Sequence, residues 1–141
     1  MTHHHTKSIP ILVDNSLNRA FAIKYAVFAG FGLSAVFFGL PSVTELWGGG
    51  LAFITGIMVF LSAAASGVAA WHTERGIRWQ KAGIYCGYGF IFSAGLYAVA
   101  LMILTFQGDG RRAISAAIIS VALLVMPIWY IRYLIRRVRN R

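Results

Sequence analysis

Acidic residues are scarce in this chain: four Asp and Glu stand among 141 residues, against thirteen Lys and Arg. No charged residue lies near the middle of any of the four longest apolar runs. That leaves nothing to interrupt a membrane-crossing helix, and it withholds the intramembrane ionisable groups that proton- or ion-coupled transport uses. Cys86 is the only cysteine, so no intramolecular disulfide can form, and within an apolar helix it packs as a small hydrophobe. Of three prolines, only Pro127 falls inside an apolar run, where a bend is expected without a break.

What is present in abundance is hydrocarbon. The chain is 58% hydrophobic, and its mean hydropathy is +0.69. A soluble domain of this length could not keep so much apolar surface dry. The four runs are Phe21–Leu40, Leu51–Trp71, Ala82–Phe106 and Ala113–Tyr133. At 1.5 Å per helical residue, about 20 residues match the roughly 30 Å thickness of a bilayer core. The expectation is an all-α integral membrane protein with a four-helix bundle over 21–134, a polar head over 1–20 and a basic tail over 135–141. Short connections make neighbouring helices antiparallel. The first run starts too late and is too long for a cleaved signal peptide.

The connections read as turns. PSVTELWGGG (41–50) offers a proline stop and three glycines, HTERGIRWQK (72–81) is polar, and QGDGRR (107–112) is a tight turn. Asp14, Asn15 and Ser16 supply side-chain oxygens to cap a helix beginning near Leu17. Eleven basic residues lie on the side of the termini and the second connection, while Arg111 and Arg112 lie opposite. The positive-inside rule then places both termini in the cytoplasm. Trp47 marks the outer boundary, and Tyr25, Trp71, Trp79, Trp129, Tyr130 and Tyr133 the inner one, as interfacial anchors.

The net charge of +9 sits beside membrane ends, which fits anionic lipid headgroups and not nucleic acid. In the tail, Arg132, Arg136, Arg137, Arg139 and Arg141 are expected to hold that surface, each contributing about 1 kcal/mol. No catalytic, cofactor or metal site is expected. His3–His5 are consecutive, and His72-Thr73-Glu74 lacks the paired histidines of a zinc-protease helix. Small residues carry the clearest spacing: Gly83, Gly87 and Gly95 in the third run, and Ser62, Ser66, Ala63 and Gly67 in the second. Such faces let helices approach closely, within one bundle or between copies.

Four spans, the small-residue face GIYCG (83–87) and the tail RYLIRRVRNR (132–141) together resemble phage holins. They look like the four-span membrane proteins found with lysis genes in actinobacterial phages. That resemblance implies homo-oligomers in the bacterial cytoplasmic membrane, a lesion that collapses the membrane potential, and a lysis-protein partner. The competing expectation is a non-enzymatic interaction protein, such as a complex subunit or an immunity or superinfection-exclusion factor.

Overall fold

The computed structural model describes residues 11–107 and 110–140, with five helices and no strand among them. They are α1 (Ile11–Phe38), α2 (Pro41–Trp47), α3 (Gly49–Trp71), α4 (Ile77–Phe106) and α5 (Gly110–Arg139), with a single 3₁₀ turn at Thr73–Arg75 between α3 and α4. Four of them, α1, α3, α4 and α5, are long and apolar enough to cross a membrane. Large apolar side chains such as Phe37, Phe38, Leu61, Phe92 and Ile118 project from the outside of the bundle, as lipid permits and water does not.

Several boundaries differ from the sequence expectation, each for a local reason. The chain is already helical at Ile11, so Asn15 and Ser16 lie inside α1 and do not cap it. The first connection is a short helix, because Pro41 sits at its opening turn, where its fixed φ suits a helix start. Gly39 (φ 78°) and Gly48 (φ 85°) make the breaks on either side of α2 in backbone that side chains disfavour. Gly49 and Gly50 have joined α3. Arg111 and Arg112 belong to the first turn of α5, while Gly108 and Asp109 lie outside the described residues. Residues 135–139 continue α5, so the tail is the end of a helix and not a separate segment. Pro127 sits within α5, which runs through it unbroken.

Packing proceeds from neighbour to neighbour: α1 on α3, α3 on α4, α4 on α5. The contacts pair early positions with late ones. Gly32 meets Phe60 and Gly67 meets Tyr25 between α1 and α3, while Gly83 meets Leu134 and Gly87 meets Ile131 between α4 and α5. Each such pair therefore runs in opposite directions. The closest approach is at Gly32, where an added Cβ would fall 2.5 Å from the Phe60 backbone nitrogen. Lipid is as apolar as the helices, so this proximity stabilises through dispersion contacts and not through exclusion of water.

The core has two parts. The larger cluster, toward the chain termini, includes Phe21, Tyr25, Val59, Phe90, Tyr130 and Leu134. The smaller outer cluster gathers Ala35, Leu40, Val43, Ala52 and Ala100 under α2.

Candidate functional site

Two features stand out: a polar cluster that pins the helices together at the end nearest the chain termini, and an apolar cleft beyond it.

The polar cluster begins with Asn18, fully buried on the face of α1 that also carries Phe21 and Tyr25. Its Nδ2 donates to Oε1 of Glu74 at 2.9 Å, and its Oδ1 accepts from the Tyr130 hydroxyl at 3.0 Å. Glu74 reaches the site because the 3₁₀ turn folds Thr73 inward, where its hydroxyl donates to the Ala69 carbonyl at 2.8 Å and lies 3.5 Å from the Tyr130 hydroxyl. Oε2 of Glu74 lies 3.6 Å from Nη2 of Arg137, whose Nη1 donates to the Tyr133 hydroxyl at 3.1 Å. From α4, the buried Gln80 donates through Nε2 to the Thr73 carbonyl at 3.4 Å. Residues from α1, the 3₁₀ turn, α4 and α5 thus share one hydrogen-bonded network. Its bonds are those of a clasp: both oxygens of the Glu74 carboxylate are engaged, one by Asn18 and the other by Arg137. Among the described residues, no three of His, Cys, Asp and Glu converge as metal ligands would.

Above the clasp, Phe21 stacks on Tyr130 with ring centroids 4.1 Å apart, closing the seam between α1 and α5. Further outward that seam opens into a cleft of about 400 Å³. Its walls are Val27, Phe28 and Phe31 from α1 and Ile119, Ser120, Leu123 and Leu124 from α5. Its floor is Val59, Phe90, Ala94 and Tyr97. Rings from α1 bridge to α4 across the floor, Phe28 to Phe90 at 4.8 Å and Phe31 to Tyr97 at 5.7 Å.

The small-residue positions singled out from the sequence are mostly used inside the chain. Gly83 lies under Leu134, and a Cβ at Gly87 would meet Ile131 at 2.9 Å. Gly67 faces Ala22 and Tyr25, Ala63 and Ser66 are buried, and Ser62 is 3.3 Å from Ser93 across the α3–α4 contact. Gly83 and Gly87 thus serve helix packing within the chain, with α5 lying over them. Gly95 alone faces open space. In the tail, Arg132, Arg136 and Arg139 are exposed along one side of α5, whereas Arg137 turns inward to Glu74. Arg141, like His3–His5, lies outside the described residues.

Two expected anchors also belong to the interior: Tyr25 is 2% exposed and Tyr130 1%. Trp71 and Trp129 do face outward. The clasp itself is not legible in the sequence, where Thr73 and Glu74 read as ordinary loop polarity. The available signal was polar residues on otherwise core-facing positions: Asn18 three before Phe21, and Tyr130, Tyr133 and Arg137 at helical spacing.

Comparisons with protein families, with curated proteins and with solved structures find no match to this chain.

Proposed function

We propose that this chain is a non-enzymatic, holin-like protein of the bacterial cytoplasmic membrane, with both termini cytoplasmic, which assembles with copies of itself and permeabilises the membrane during phage lysis. The observation that carries the reading is the outer face of α4. Tyr85 and Tyr88 are 73% and 53% exposed there, in line with Phe92 and Gly95. They lie about 6 and 10 Å along the helix beyond the exposed Lys81, within the apolar run that begins at Ala82. Lipid tails offer a phenolic hydroxyl no partner, whereas the same face of another copy, or water in a lesion, does. The exposed Arg132, Arg136 and Arg139 support anchoring to anionic lipid on the cytoplasmic side.

The test is inducible expression in bacteria with membrane potential and viability followed over time. Abrupt depolarisation after a lag, with release of a co-expressed endolysin, is the expected result, and Tyr85→Phe with Tyr88→Phe lengthens the lag. Sustained potential despite confirmed insertion removes the lesion reading. The use of the glycine faces inside the chain favours a second reading, an interaction protein with a different membrane partner. It predicts a defined heteromeric complex and no toxicity on expression alone.

A further inference from the structure

The cleft between α1 and α5 has a cation at its inner lip. Lys24, Val27, Phe28 and Phe31 stand at i, i+3, i+4 and i+7 of α1, so they share one face of that helix. The last three line the cleft. The half-buried Lys24 carries its ammonium 5.9 Å from the centre of the Phe28 ring. It lies inside the apolar span Asn15–Phe38, and no carboxylate among the described residues pairs with it. Glu74, whose side chain lies at the same end of the bundle, is already held by Asn18 and Arg137. A lysine within a span is costly unless it finds an anion or reaches the headgroup region.

We propose that the cleft binds one acyl chain of an anionic phospholipid from the leaflet at the clasp end, with the headgroup phosphate paired to Lys24. Three observations fit this occupant together. The cleft is apolar on every wall except for the Ser120 side chain and the Tyr97 ring's edge, so it suits a hydrocarbon chain. Its floor runs from Phe90 to Tyr97, about 10 Å of helix, enough for much of a chain. The Phe21–Tyr130 stack closes the inner end, so a chain inserted there must leave its headgroup at the next turn of α1, where Lys24 stands. A second protein helix is a poorer fit, because the opening is bounded on both sides by α1 and α5 of the same chain. The site is independent of whether copies assemble into a lesion.

Native mass spectrometry of the purified full chain, released from detergent after incubation with equal phosphatidylglycerol and phosphatidylcholine, tests the assignment. The expected result is one retained lipid, with phosphatidylglycerol favoured about fivefold, the preference one lysine at an anionic surface supplies. Lys24→Gln erases that preference while a lipid is still retained. Ile119→Trp, a substitution at the exposed lip, and Ala94→Leu, on the floor, each lower retention of both lipids. Because Ile119 is exposed, its variant reads out the cleft even where Ala94→Leu impairs folding. Equal retention of the two lipids by the wild type overturns the proposal, as does a preference that survives Lys24→Gln. A mass increment of a whole second chain in place of lipid, abolished by Ile119→Trp, overturns it in favour of a protein occupant.

Discussion

The Tyr130 hydroxyl donates to Asn18 Oδ1 at 3.0 Å, joining two residues 112 positions apart and tying the last span to the first. Asn18→Ala removes that acceptor and the donor to Glu74 together. Leaving buried polar groups short of a partner costs about 1–3 kcal/mol. The expected outcome is an earlier unfolding midpoint in a detergent-denaturant titration, with Tyr130→Phe showing a smaller shift in the same direction. The two substitutions combined fall short of the sum of their separate effects; strict additivity would mean the contact contributes nothing.

Gly32 and Gly95 make opposite forecasts for one change, Gly→Ala. At Gly32 the new methyl meets the backbone of Phe60, which cannot swing aside, and overpacking of that kind costs about 1–3 kcal/mol. At Gly95 nothing lies within 4 Å, so the better helix propensity of alanine leaves stability equal or raises it by up to about 1 kcal/mol. Unfolding midpoints of the two variants in the same detergent separate them. Equal losses at both would contradict the α1–α3 packing described above.

Glu74 tests how the clasp divides between its hydrogen bond and its ion pair. Glu74→Gln keeps an oxygen for Asn18 but removes the charge facing Arg137 at 3.6 Å. A partly exposed pair of this length contributes less than about 1 kcal/mol. Glu74→Leu removes both interactions and is expected to be clearly worse. A Gln variant as unstable as the Leu variant would make the charge, not the hydrogen bond, the main contribution.

The outward tyrosines of α4 test the proposed assembly. Resonance energy transfer between labelled copies in vesicles is expected to weaken when Tyr85 and Tyr88 are both changed to Phe. Interhelical hydrogen bonds in lipid contribute about 0.6–2 kcal/mol, hence a roughly three- to thirtyfold weaker association. Association unchanged by the pair would move the contact to another face.

The four long helices were legible because lipid imposes a simple rule: about 20 uncharged apolar residues in a row, then a polar break. The partners of each face were not. Glycines at 83 and 87 look the same in sequence whether they meet α5 or another copy, and only the fold shows Leu134 and Ile131 over them. Gly32, where α1 and α3 approach closest, has Phe28 and Val36 four positions to either side, so the small-residue spacing does not mark it. The clasp was hidden for a related reason. Its members are scattered over 18, 73–80 and 130–137, each ordinary in its own segment, and become a site only when the helices converge.

Pro127 sits between the two halves of α5, with the clasp three residues on at Tyr130 and the cleft wall three and four residues back at Leu124 and Leu123. Having no N–H, it leaves the Leu123 carbonyl without its usual helical donor. The last span is therefore one backbone bond short at the junction between its hydrogen-bonded clasp and its apolar cleft, a gap that no other long helix carries among the described residues.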